Sequence, residues 1–163
     1  MSKIHQIQIQ ITVFETENDL SKEDLFLLNE ARKASQRAYA PYSKFSVGAA
    51  IQLQNGEVVL GSNQENAAYP SGLCAERTAI FSASVQFPNE IIETIAIAAK
   101  PQQATDFIAI SPCGSCRQVM SEYENKQKKS IRMIMEGENK SIYILNSIAD
   151  LLPLKFTKES LKV

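Results

Sequence analysis

A chain of 163 residues with 44% hydrophobic and 21% charged side chains has ordinary globular composition, enough for one domain that buries roughly two thirds of its unfolded surface. Its 17 Lys and Arg against 18 Asp and Glu leave a net charge of −1, so no long-range field draws it toward a polyanion and nucleic acid is not expected as a partner. The opening Met1-Ser-Lys-Ile-His-Gln-Ile-Gln8 has no apolar run of signal-peptide or membrane-span length, which predicts a cytoplasmic protein without a membrane partner.

Near the start, Ile7, Ile9, Ile11 and Val13 alternate with Gln8, Gln10 and Thr12, the two-residue period of an edge strand with one buried and one wet face. Ser21-Lys-Glu-Asp24 has the form of a capping box with Asp in place of Glu. Leu25, Leu28, Ala31, Arg32, Ser35 and Tyr39 continue at helical spacing until Pro41 stops the helix. Phe45 to Gln54 and Glu57 to Gln64 flank Asn55-Gly56, which predicts a hairpin closed by a type I′ turn. After the turn-like Tyr69-Pro-Ser-Gly72, a second helix runs from Cys74 to about Val85, with Pro88 closing it.

Ile91 to Ala99 and Phe107 to Ile110 are short, apolar and rich in β-branched residues, as expected of central strands covered on both faces. Pro112 precedes a third helix from Cys113 to Asn125, and the charged Lys126 to Lys129 reads as its solvated end. Strands near Ile131 to Met135 and Ile142 to Leu145 follow, separated by Gly137-Glu-Asn139, with a short helical turn from Ile148 to Leu152. Helices alternating with strands, and no repeat or linker, predict a single α/β domain over residues 1–163 with three α/β/α layers and a mixed central sheet of about five strands.

Three cysteines cannot pair completely, and in a reducing compartment clustered cysteines point to metal or catalysis. Cys74-Ala-Glu76 and Pro112-Cys113-Gly-Ser-Cys116 each follow a loop at a predicted helix start, and Cys113 and Cys116 share one helix face. Three protein ligands with a fourth position left to water is the arrangement of a catalytic zinc site, whereas a structural zinc site usually closes with four. The alternatives are a structural site, with the remote His5 as a fourth ligand, or a Cys-x-x-Cys redox pair, which leaves Cys74 and Glu76 without a role.

Three thiolates on Zn²⁺ leave a net negative centre, which weakens the ion as a Lewis acid unless something offsets it. Two helix N-termini and Arg77, expected to donate hydrogen bonds to the thiolates, are the visible offsets. Glu76, two residues from a ligand, is placed to move protons at the metal without binding it.

Cys74-Ala-Glu-Arg-Thr with Pro112-Cys-Gly-Ser-Cys-Arg resembles the small homotetrameric cytidine deaminases, whose Cys₃ zinc signature belongs to a wider deaminase superfamily. Tyr39-Ala-Pro-Tyr-Ser-Lys-Phe45-Ser-Val-Gly-Ala-Ala50, Asn63-Gln-Glu65-Asn-Ala-Ala-Tyr69-Pro and Leu151-Leu-Pro-Leu-Lys-Phe156 extend the likeness over roughly residues 21 to 156. Residues 1 to 20 lie outside it as an extra strand-like segment.

The resemblance implies one zinc per subunit and a homotetramer whose active sites are shared between subunits. The base would enter near Phe45, with Ala75 also on the substrate, while Asn63 and Glu65 would hydrogen-bond the sugar 3′-hydroxyl. Tyr69 and Phe156 match positions that reach a neighbouring subunit's pocket. Leu154-Lys155 stands where many relatives have smaller residues, which bears on the register of the tail. The implied reaction is hydrolytic deamination of cytidine and deoxycytidine in pyrimidine salvage, with Glu76 carrying a proton from water to cytosine N3 and later one to the leaving amine.

Three rival readings remain. Blasticidin-type deaminases share the Cys-x-Glu and Pro-Cys-x-x-Cys pattern, and activity on cytidine against the antibiotic separates them. Editing deaminases of RNA or DNA usually present His before x-Glu and need a basic, aromatic-lined surface. A zinc-stabilised binding module without activity would release no ammonia.

Overall fold

The computed structural model describes residues 2–161. Ser21 starts the first long helix, α1 (Lys22–Ser35), by accepting a hydrogen bond from the Asp24 N–H through its hydroxyl at 3.0 Å, as the capping pattern predicts. The helix ends earlier than its apolar period, because Tyr39 is taken into a bridge with Gln64: the Tyr39 N–H donates to the Asn63 carbonyl and the Glu65 N–H to the Tyr39 carbonyl. After α1 come β2 (Phe45–Leu53), β3 (Val58–Ser62), α2 (Ala75–Gln86), β4 (Ile92–Pro101), α3 (Gly114–Gln127), β5 (Arg132–Glu136) and β6 (Ile142–Leu145), while β1 (Thr12–Phe14) precedes it.

The strands form one sheet in the order β1-β6-β5-β4-β2-β3. Only β4 and β5 pair in parallel, joined by the crossover that contains α3, and the other neighbours are antiparallel. Side-chain alternation splits the core in two. Ile95 and Ile97 of β4 face the layer of α2 and α3, with Ala79, Ile80, Cys116 and Met120. Ala96 and Ala98 face α1, with Leu27, Leu28 and Ala31. The three α/β/α layers are those expected from the sequence.

Two glycines let the helices lie close on the hairpin strands. A Cβ on Gly48 would sit 2.0 Å from the Ala31 carbonyl oxygen of α1. One on Gly61 would sit 2.5 Å from the Ala75 carbonyl oxygen and from the Ala79 nitrogen, so Gly61 seats the first turn of α2 on β3.

Several sequence expectations give way. The sheet has six strands where about five are expected. Phe107 to Ile110 is not a strand: β2 takes one side of β4 along its length and β5 the other over Thr94–Ile97, so only the last residues of β4 are left for it to meet. This segment instead closes the end of the sheet, with the Ile108 N–H on the Ala99 carbonyl and the Ile110 N–H on the Glu136 carbonyl. The first strand covers only Thr12–Phe14, not Ile7 to Val13; pairing stops at Thr12 opposite Ile144, and β6 offers only Leu145 beyond that point, too little to hold Ile7 to Ile11.

The hairpin turn also differs. Gly56 has a positive φ of 91° and Asn55 does not, which excludes type I′. The loop holds three residues, with the Gly56 N–H on the Leu53 carbonyl at 3.0 Å and the Asn55 side chain accepting from the Glu57 N–H at 3.0 Å. A three-residue loop ending in a left-handed glycine suits the strand twist as well as a type I′ pair does.

Candidate active site

Strand direction decides where the two cysteine motifs meet. β3 and β4 are each antiparallel to β2, so they run the same way and their C-terminal ends lie along one edge of the sheet. α2 follows β3 and α3 follows β4, which brings both helix N-termini to that edge. Cys74 is the residue before α2 and Cys113 the residue before α3, both with extended backbone, and Cys116 lies one turn into α3.

The three sulfurs come within 4.8 Å of one another. Cys74 and Cys113 Sγ are 3.9 Å apart, and Cys113 and Cys116 Sγ 3.5 Å. Thiolates bound tetrahedrally at a Zn–S distance of about 2.3 Å lie about 3.8 Å apart, so the donor set fits one zinc ion with little movement. Cys116 is buried and Cys113 exposed, which leaves the outer side of the cluster open to a fourth ligand.

Electrostatics at the cluster are uneven. As free thiols the sulfurs share protons: a hydrogen bond from Cys116 brings the Cys74 thiol down to about 5, against the opposing pull of burial and with help from Arg77. Cys116 is pushed up by donating that bond, by its burial and by the nearby Glu76 charge. Arg77 Nη2 lies 3.7 Å from Cys74 Sγ, the contact anticipated from sequence, while its buried Nε has no protein partner. Glu76 is only 5% exposed, and burial raises its carboxyl above the usual range.

A cleft of about 650 Å³ opens over the sulfurs, lined by Asn63, Glu65, Tyr69, Cys74, Glu76, Arg77 and Cys113 together with Tyr42, Val47 and Ile110. Glu65 is aimed by the loop after α1, its carboxylate accepting from the Tyr42 N–H at 2.9 Å and the Ser43 N–H at 3.3 Å. Hydrogen bonds from Ser43 and Tyr42 hold this carboxyl below its ordinary value. Asn63 spends its amide on β2, accepting from the Val47 N–H at 2.8 Å and donating to the Phe45 carbonyl at 2.9 Å, which leaves one N–H for a ligand.

Ala75 is fully buried beneath the cleft. Phe45 and Phe156 do not line it: Phe45 is the half-buried first residue of β2, and Phe156 is 56% exposed on the tail. Tyr69 is 75% exposed at the rim, edge-on to Tyr42 with ring centres 5.9 Å apart.

Arg117 is a residue to which sequence reasoning assigned no task. Its Nε donates to the Pro112 carbonyl at 2.7 Å, Nη1 to the Leu151 carbonyl at 3.0 Å and Nη2 to the Ser111 hydroxyl at 2.7 Å. It thereby ties the loop before Cys113 to the tail, and the next residue, Gln118, donates to the Phe156 carbonyl at 2.9 Å. The signal available was position alone, directly after Cys116. Tyr42 and Ser43 stand inside the Tyr39 to Ala50 motif, but their amides have a visible role only once Glu65 is folded against them.

Three clustered cysteines beside a buried glutamate, at two converging helix starts, match the pattern of the zinc-binding deaminases. The chain belongs to the family described as "Cytidine and deoxycytidylate deaminase zinc-binding region", whose model matches residues 21–132. A curated cytidine deaminase from Halalkalibacterium halodurans is 38% identical over 135 residues, 83% of this chain and 95% of that one. The crystal structure of a cytidine deaminase from Burkholderia pseudomallei is 37% identical with a TM-score of 0.68, covering 84% of this chain and all of the other. A blasticidin-S deaminase from Bacillus cereus is more distant, 28% identical over 142 residues, 86% of this chain and 96% of that one. No helix among the described residues is long and apolar enough to cross a membrane.

Proposed function

We propose that this chain is a zinc-dependent hydrolytic deaminase of free cytidine and deoxycytidine, a cytoplasmic enzyme of pyrimidine salvage that releases uridine or deoxyuridine and ammonia. The observation that carries this reading is the meeting of Cys74, Cys113 and Cys116 with the buried Glu76 on the floor of a nucleoside-sized cleft. The three cysteines would hold one zinc ion per subunit, which when bound supplies the Lewis acidity that makes water a nucleophile near neutral pH.

Glu76 acts as the proton carrier. Burial strengthens its hold on a proton, which brings it nearer the working pH of a group that must both accept and donate. It takes a proton from the attacking water and gives it to cytosine N3, then takes the proton of the hydroxyl newly added at C4 and delivers it to the amine as the C4–N bond breaks and the C4 carbonyl forms. Arg77, 3.7 Å from Cys74 Sγ, offsets the negative charge of three thiolates.

Glu65 and the free N–H of Asn63 read the sugar 3′-hydroxyl. The main chain around Ala75 bounds the base, and Phe45, which lies outside the cleft lining, acts on the site through its carbonyl, which holds the Asn63 amide. Tyr69 and Phe156, both exposed on the isolated subunit, reach neighbouring sites in a homotetramer. Residues 1–163 are read as one deaminase domain.

The test is ammonia release and the accompanying absorbance change with cytidine and deoxycytidine. Glu76→Gln should keep its zinc and lose about 10²- to 10⁴-fold in turnover, the share carried by a positioned acid–base group. A zinc-loaded Glu76→Gln protein as fast as the parent overturns the role of Glu76. Turnover of blasticidin S with none of cytidine overturns the substrate and selects the antibiotic-deaminase reading.

A further inference from the structure

The segment before α1 has no part in the site and lies ahead of the family match, which begins at residue 21. Three residues within it, β1, occupy the outer edge of the sheet beside β6, with Thr12 opposite Ile144, Val13 opposite Tyr143 and Phe14 opposite Ile142. Phe14 packs into the core under α1. Residues 3 to 11 continue outward from β1 and join no helix or strand ladder among the described residues.

An edge left in this condition is hazardous. No side chain from Gln6 to Phe14 carries a charge, no proline interrupts the run, and Ile7, Ile9, Ile11 and Val13 are each more than 40% exposed. Natural edge strands are protected by charge, proline, a bulge or a cover, and this one has none of the first three in its sequence. A cover is therefore required, and the residue order indicates which one.

Ile7-Gln8-Ile9-Gln10-Ile11 reads the same in both directions about Ile9. Antiparallel pairing of two copies on a two-fold axis at Ile9 sets Ile7 opposite Ile11, Gln8 opposite Gln10 and Ile9 opposite itself. Continued outward, the same register pairs Ile4 with Phe14 and Gln6 with Thr12, apolar with apolar and polar with polar. Only His5 with Val13 is mixed. A two-fold interface must be self-complementary, and a palindromic strand meets that condition within its own sequence. Ile7, Ile9 and Ile11 of both copies then form one continuous apolar row on one face, with Gln6, Gln8 and Gln10 on the other.

We infer that residues 4–14 form an intersubunit strand, pairing antiparallel with the same segment of a second copy of this chain about Ile9 and continuing the sheet across the two-fold axis. This inference stands apart from the assignment of the reaction, since neither the cleft nor the cysteines enter it.

Cysteine placed along the segment of the full-length, zinc-loaded protein tests it. Directly opposed residues have Cβ atoms close enough for a disulfide with small adjustment, whereas residues one pair off the axis are diagonal neighbours beyond its reach. Under mild oxidation Ile9→Cys should give a covalent dimer at least about tenfold faster than Gln8→Cys or Gln10→Cys, because only residue 9 meets itself. An equimolar mixture of Gln8→Cys and Gln10→Cys should recover the fast rate, and the parent chain, with its three cysteines on the metal, should give no dimer. Equal rates at positions 8, 9 and 10, a maximum away from Ile9, or no covalent dimer from Ile9→Cys overturns the pairing.

Discussion

The starts of α1 and of α2 and α3 have nearly the same backbone and serve different ends. Ser21 has φ −61° and ψ 157°, Cys74 −71° and 157°, and Cys113 −66° and 164°. All three stand at the capping position, where a short oxygen side chain can satisfy one of the free N–H groups of the first turn. Ser21 does so, while Cys74 and Cys113 make no such bond. The same local geometry thus closes one helix and leaves two others uncapped, with sulfur and helix-end partial positive charge directed at a shared point. The capping bond is missing where the cysteines converge, and present where only a helix must begin.

Changes at these three positions, and at the metal and arginine beside them, break or sharpen that contrast. The largest effect belongs to Cys113→Ser, which should abolish stable zinc binding and reduce cytidine turnover to background, read by metal content and ammonia release. Treatment of the parent with a strong chelator should have the same result, reversed by added zinc. Arg77→Ala comes next, with about a 10- to 100-fold loss in zinc affinity, the usual scale for a group that supports a metal ligand, measured by competition with a chromophoric chelator.

The smaller effects concern the caps themselves. Ser21→Ala should destabilise the protein by about 1 kcal/mol in denaturant unfolding while leaving kcat and KM unchanged, since α1 lies across the sheet from the cleft. The last prediction is a gain. With zinc stripped from both proteins, Cys74→Ser should be more stable than the parent by roughly 0.5–1 kcal/mol, because serine there can cap α2 as Ser21 caps α1. A metal-free Cys74→Ser protein no more stable than the metal-free parent would show that the site does not carry a capping deficit.

The packing beneath the site explains why some of it could be read in advance. Cysteine spacing, the glutamate two residues from Cys74 and the arginine after it are local facts, and helix geometry places such neighbours within a few ångströms whatever the rest of the chain does. α1 was legible through Ser21 and its apolar period, although its end was not. Tyr39 leaves the helix for a bridge with Gln64, a contact spanning 25 positions. The hairpin was legible through Asn55-Gly56, but a type I′ pair and a three-residue loop ending in glycine share that dipeptide, and only the observed φ values separate them.

Phe107 to Ile110 shows a deeper reason for failure. Its composition suits a central strand, and composition says nothing about vacancy. β2 and β5 already flank β4, so the segment crosses the end of the sheet, with Phe107 packed on the α1 side and Ile110 on the other. Arg117 was missed for a related reason. Its partners are the carbonyls of Pro112 and Leu151 and the hydroxyl of Ser111, and main-chain acceptors have no signature in side-chain identity.

The sequence by itself determined the cysteine spacing, the place of Glu76 two residues after Cys74, the helix starts and the three-layer class, because each depends on spacing within one turn or on a repeating period. Tertiary structure alone decided that the two motifs meet. β3 and β4 had to run in the same direction for α2 and α3 to begin at one edge, and Gly61 had to admit the first turn of α2 against β3. Strand order and direction arise from pairings between residues far apart in the chain, and such pairings leave no local trace.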